Sequence, residues 1–102
     1  MELLDRRIYI APLDAGSEVQ AFCHAKALAF REKGIRVETT NGEYSLSKHL
    51  KKANQTGASF VMIVGPDEVK KGRVALKNMT EKTQTDIEAE KVVSYMQGAF
   101  QS

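Results

Sequence analysis

The stretch Gly57-Ala58-Ser59-Phe60-Val61-Met62-Ile63-Val64-Gly65-Pro66 decides the fold. Its five central residues, Phe60 to Val64, are apolar without interruption, and glycines bound the run on both sides. A half-buried strand would alternate with polar residues, and a buried helix would need about ten or more. A short continuous apolar run between turn residues predicts a central strand covered on both faces. The neighbouring sequence must therefore supply a layer above it and a layer below it.

Upstream, two segments have helical spacing. Residues 18–33 carry Val19, Cys23, Ala27 and Phe30 on one face, with Ser17 as N-cap and Gly34 just past the end. Ser45 caps a second helix, whose predicted inward stripe is Leu46, Leu50 and Ala53 and whose outward residues are Lys48, Lys51, Lys52 and Gln55. Gly57 ends it. Before each helix lies a short β-forming run: Arg7-Ile8-Tyr9-Ile10-Ala11, stopped by Pro12, and the alternating Ile35-Arg36-Val37-Glu38-Thr39. Downstream, a tight loop, Gly65-Pro66-Asp67-Glu68, leads into Val69-Lys70-Lys71-Gly72. Arg73 to Met79 and Lys82 to Ile87 form a hairpin joined at Thr80-Glu81, and Glu88 to about Phe100 is a helix with Val92, Val93 and Met96 inward. The order is β-α-β-α-β-β-β-α. It predicts a three-layer α/β fold, a mixed five-stranded sheet with three helices, in one domain over 1–102 with its core at about 6–97.

Composition excludes several functions. The 102 residues are 42% hydrophobic and 27% charged, a globular mixture. No apolar run of about 18 residues exists to cross a membrane, and the start lacks a secretory core. The single cysteine, Cys23, leaves nothing to pair with and too few thiols for a structural zinc, which points to a reducing compartment, the cytoplasm. The net charge of +2 is mild, but its distribution is not. Residues 43–82 hold eight basic and four acidic groups, net +4, while residues 1–42 are neutral and 83–102 are net −2.

Catalytic patterns are missing. No Gly-x-x-x-x-Gly-Lys-Ser/Thr loop cradles phosphates. Cys23 and His24 are adjacent on a helix and diverge by about 100°, so Cys23 is expected in the core and His24 at the surface. A metal held by His24, His49 and a carboxylate would require the fold to bring two helices together. Asp67 and Glu68, as sequence neighbours, do not make an acid–base dyad.

Four segments in register, Ile8 to Pro12, Arg31 to Glu38, Ser45 to Asn54 and Gly57 to Lys77, resemble the anticodon-binding domain of class II aminoacyl-tRNA synthetases. The similarity spans about residues 6–97 and is greatest to the histidyl subgroup, through the pattern of Ser-Leu, basic residues, Ala-Asn, two residues and Gly-Ala from Ser45 to Ala58. The resemblance implies recognition of the anticodon loop of a tRNA, tRNA-His for that subgroup, in support of aminoacylation. It implies base-reading roles for Glu68 and Lys77 and an anticodon-facing loop at Asn41 and Glu43. A carboxylate at Glu68 suits the paired N–H donors of a guanine edge, whereas Lys77 lacks the planar fork of the arginine that relatives carry there. Lys48, Lys51, Lys52, Lys70, Lys71 and Arg73 are phosphate-contact candidates, each also readable as a solvated surface charge. Tyr9 and Tyr44 are assigned to the core and its edge.

The sequence also departs from the family. Asn54 stands where aspartate is common, Thr39-Thr40 replaces an acidic residue, and Pro66 stiffens the base-reading turn. The catalytic motifs of class II synthetases are absent, so no cofactor is expected in this chain. A parent synthetase, expected to be a homodimer, would use ATP and magnesium. The chain is then either the C-terminal part of such an enzyme or a free-standing relative, and the competing function is an interaction or regulatory module without RNA binding.

Overall fold

A computed structural model describes residues 7–40 and 42–101. Phe60–Val64 is strand β3, buried at all five positions. Its side chains divide by parity, as the pleat requires. Phe60, Met62 and Val64 enter one apolar cluster, while Val61 and Ile63 enter the other. The first cluster is closed by Val19, Cys23, Ala27 and Phe30 of α1 (Ser17–Glu32) and by Val92 and Met96 of α4 (Val92–Gln101). The second is closed by Ala53 and Leu50 of α2 (Leu46–Thr56). The predicted layers above and below the central strand are therefore present.

The sheet has five strands in the order β2-β1-β3-β4-β5. β1 (Arg7–Pro12) runs parallel to both β2 (Arg36–Glu38) and β3, with Ile10 opposite Met62. β4 (Arg73–Asn78) and β5 (Thr83–Glu88) continue the sheet antiparallel, with Met62 opposite Leu76 and Leu76 opposite Thr85. Each free edge is blunted: β2 is three residues long, and β5 opens with the exposed polar run Thr83-Gln84-Thr85-Asp86. Short or polar edges offer little to a second sheet.

Three local expectations are revised. The segment taken as a loop after β3 is a short helix, α3 (Pro66–Lys71), so the described chain has four α-helices plus one 3₁₀ turn at Ala89–Lys91. Pro66 sits at its first position, where the missing N–H costs nothing, and Gly72 ends it at φ +68°. Val69 packs against the α1-side cluster and holds this helix on that face. Next, Leu46 is not inward but 40% exposed at the start of α2, and His49 takes the inward position at 0% exposure. Finally, Tyr44 does not cover the core edge; it is 38% exposed. Two helix starts also shift: α1 is capped by Gly16 with Ser17 as its first residue, and Glu88 ends β5, so the last helix begins at Val92. Gly57 ends α2 as expected, at φ +79°, returning its N–H to the carbonyls of Ala53 and Asn54.

Candidate nucleic-acid interface

The ends of the parallel strands define the region. β1 leads to α1 on one face of the sheet and β2 leads to α2 on the other, so a crevice opens beyond the C-terminal ends of β1 and β2. It encloses about 150 Å³ and is lined by Pro12, His24, Arg31, Thr39, Thr40 and Tyr44, among others. Cys23 lies at this crevice too, but burial pushes its thiol up to about 11, which leaves it protonated and unreactive at neutral pH. His24 is at the surface, as expected.

The two carboxylates predicted to read bases lie in the segments that follow the C-terminal ends of β2 and β3, each anchored to backbone. Glu43 Oε2 accepts the N–H of Ser45 at 3.0 Å and of Tyr44 at 3.1 Å. The Ser45 amide, then Lys48, the Tyr44 amide and His49 hold its carboxyl below the ordinary carboxylate value. Glu68 Oε1 accepts the N–H of Gly65 at 2.7 Å, half of a capping box at the start of α3. Both residues are thus oriented before any ligand arrives, and Glu68 keeps its second carboxylate oxygen for another donor. The position a Cβ would take on Gly65 lies 2.7 Å from Glu68 Oε1 and 3.7 Å from Leu13, so the turn has no room for a larger residue.

The other candidates are distributed differently. Lys77 is mid-strand on β4, opposite Val61 and Gln84, on the face that carries α2. It is half-buried there and does not belong to the turn of Glu68. Lys48, Lys51 and Lys52 are exposed on α2. Lys70 and Lys71 end α3 on the α1 side, and Lys71 and Arg73 border a shallow depression with Lys26, Glu88 and Glu90. The six basic candidates therefore do not form one patch: Lys48, Lys51 and Lys52 on α2 lie across the sheet from Lys70 and Lys71, Arg73 opens β4, and Lys71 and Arg73 have carboxylates beside them. Asn41 lies outside the described residues.

Sequence reasoning missed a buried polar chain at the same edge. The Tyr9 hydroxyl lies 2.9 Å from Thr40 Oγ1 and 2.8 Å from His49 Nδ1, and His49 Nε2 lies 2.8 Å from the Pro12 carbonyl oxygen. A carbonyl can only accept, so Nε2 carries a proton, and in the neutral ring Nδ1 accepts from Tyr9. Burial raises the Tyr9 phenol above its ordinary value, opposed by Thr40 and reinforced by Glu43. The signal available in the sequence was the spacing of His49 to Ala53, one helical turn along the buried face. With both His49 nitrogens engaged, the two-histidine metal arrangement does not form, and among the described residues no three His, Cys, Asp or Glu gather to hold a metal.

What the chain resembles follows from comparison with known proteins. The family model described as "Anticodon binding domain" matches residues 7–99. The chain belongs to the anticodon-binding domain family. Relatives include histidine–tRNA ligases of Thermoanaerobacter sp. strain X514, 34% identical over 76% of this chain, and of Archaeoglobus fulgidus, 38% identical over 80%. The matched parts are 18% and 20% of those enzymes, so this anticodon-binding domain spans about a fifth of the curated relatives it matches. The fold is shared with histidyl-tRNA synthetase from S. aureus (TM-score 0.78, 22% identity, 88% of this chain and 26% of that one). It is also shared with prolyl-tRNA synthetase from Cryptosporidium parvum (TM-score 0.82, 18% identity, 94% and 20%). Among the described residues of this domain, no helix is long and apolar enough to cross a membrane.

Proposed function

We propose that this chain recognises the anticodon loop of tRNA-His on behalf of a histidine–tRNA ligase whose catalytic domain lies outside these residues. The observation that carries the reading is the pair of backbone-anchored carboxylates, Glu43 and Glu68, in the segments following the C-terminal ends of β2 and β3 of a domain whose relatives are histidine–tRNA ligases. Unstacked loop bases present N–H donors to such groups, while lysines hold the phosphates. Amino-acid activation, with ATP and magnesium, would belong to the catalytic domain of a homodimeric cytoplasmic parent, and this domain would add selectivity by choosing the RNA.

Titration of the chain with a labelled tRNA-His anticodon stem-loop tests this. Binding should weaken steeply with salt, through release of phosphate counterions, and should weaken again when one base of the GUG anticodon is exchanged. Equal affinity for every loop sequence would count against base reading, and no binding at low salt would reject the function.

A further inference from the structure

The described residues on either side of position 41, Thr39-Thr40 before it and Gly42 to Ser45 after it, are tied to β1 and α2 by one hydrogen-bond chain. On the entry side, the Thr39 hydroxyl donates to the Ile10 carbonyl at 3.1 Å, and Thr40 Oγ1 meets the Tyr9 hydroxyl at 2.9 Å. On the exit side the chain runs into α2, whose first intrahelical bond is the His49 N–H to the Ser45 carbonyl at 3.0 Å. His49 then returns to β1 twice, through Nδ1 to the Tyr9 hydroxyl and through Nε2 to the Pro12 carbonyl, both at 2.8 Å. The Tyr9 oxygen therefore bonds both to the chain entering this segment, at Thr40, and to the helix leaving it, at His49.

Apolar packing alone would not require this arrangement. Tyr9 is 1% exposed and His49 0%, and a buried hydroxyl and imidazole stabilise only when every polar atom is matched. Here they are matched, and the geometry is directional: Tyr9 to Thr40, Tyr9 to His49 and His49 to Pro12 can all form only at one separation of β1, loop and helix. Between these two anchored ends stands Glu43, bonded to the Tyr44 and Ser45 amides. Moving the loop entry relative to α2 moves that carboxylate.

We propose that Tyr9 and His49 are positioning residues that fix the separation of Thr40 from α2, and with it the placement of Glu43, and thereby set the base discrimination of the RNA site. The proposal rests on the functional reading above. It assigns neither residue a contact with RNA. The lysines of α2 stay where they are when the chain of hydrogen bonds is cut, so phosphate contacts persist and only the loop's aim is lost.

The test uses the 102-residue chain, the tRNA-His anticodon stem-loop and the same stem-loop with one anticodon base exchanged. Tyr9→Phe and Thr40→Val cut the same bond from opposite ends. Each should reduce the matched-to-exchanged affinity ratio by about three- to tenfold with the salt slope unchanged. The double variant should lose no more than Tyr9→Phe alone, which already cuts this bond along with the one to His49. His49→Gln, with an amide oxygen for Tyr9 and an amide N–H for Pro12, should retain discrimination, whereas His49→Leu should lose it. Single variants that lower the melting temperature yet keep the wild-type ratio would overturn the proposal and leave the functional reading standing. So would losses that add in the double variant. Should the wild-type chain bind no loop, or bind all alike, the functional reading falls first and the specificity role with it.

Discussion

Glu68 and Gly65 are joined by a 2.7 Å hydrogen bond from the glycine amide to the carboxylate, which makes one residue both a helix cap and a site candidate. Two substitutions separate these roles. Glu68→Gln keeps an oxygen for the amide, so stability should hold within about 0.5 kcal/mol while preference for the matched base falls. Glu68→Ala removes the cap as well and should cost about 1 kcal/mol in a urea melt. Equal base discrimination in Glu68→Gln and wild type would leave Glu68 as a cap alone.

The division of the basic residues makes a second prediction. Lys70 and Lys71 lie on the α1 side and Lys51 and Lys52 on α2, so a single RNA loop should depend unequally on the two pairs. Converting Lys70 and Lys71 to Ala should weaken all loops alike and flatten the log–log salt slope by about 1.4 for two single-strand phosphates. A fall in base preference without a change of slope would place these residues at a base instead.

Cys23 predicts an alkaline limit to stability. Its thiol rises from the ordinary 9.0 to about 11 in the fold because it is buried. Below 9 the thiol is protonated in both folded and unfolded chains. Between 9 and 11 the unfolded chain loses the proton first, so folding free energy should decline across that window. Cys23→Ala should flatten this decline in urea midpoints measured from pH 8 to 11. The native thiol should also resist alkylating reagents at neutral pH.

At acid pH the Glu43 loop should respond. Its carboxyl is depressed by the Ser45 amide and, after it, Lys48, so its contribution is present above the ordinary 4.5 and is lost as pH falls through the lower folded value. The amide protons of Tyr44 and Ser45 should shift with a midpoint below 4.5 in an NMR titration. A midpoint at or above that value would contradict the two hydrogen bonds.

Met62 is 0% exposed in the α1-side cluster and pairs with both Ile10 and Leu76 across the sheet. Met62→Ala should cost about 2–5 kcal/mol through lost burial and the cavity left behind. Thr85→Ala, on the exposed edge strand, should cost far less in the same denaturation experiment.

Most of the architecture was legible because it rests on periodicity. The run Phe60 to Val64 announced a two-sided strand, and Val19, Cys23, Ala27 and Phe30 announced the face of α1 to the residue. The failures came where polar chemistry overrode hydropathy. His49 was passed over as an inward residue because a buried imidazole depends on Tyr9 and Pro12, residues about forty positions away. The helix at Pro66–Lys71 was hidden by its Gly-Pro start, which signals a turn as readily as a first helical turn. Glu43 and Glu68 were identified through family likeness, but their anchoring to local amides became visible only in three dimensions.

The strand order carries a consequence for synthesis. β1 lies between β2 and β3, both of which follow it in the chain, and its pairing with β3 joins Ile8 to Phe60. A nascent chain emerging from the ribosome therefore holds β1 with one side unpaired until residue 64 has cleared the exit tunnel. The β3–β4–β5 meander, by contrast, closes through short connections as soon as it is made. The N-terminal half is the part that waits, and until then its Ile8 and Ile10 lack the apolar cover they have in the finished fold.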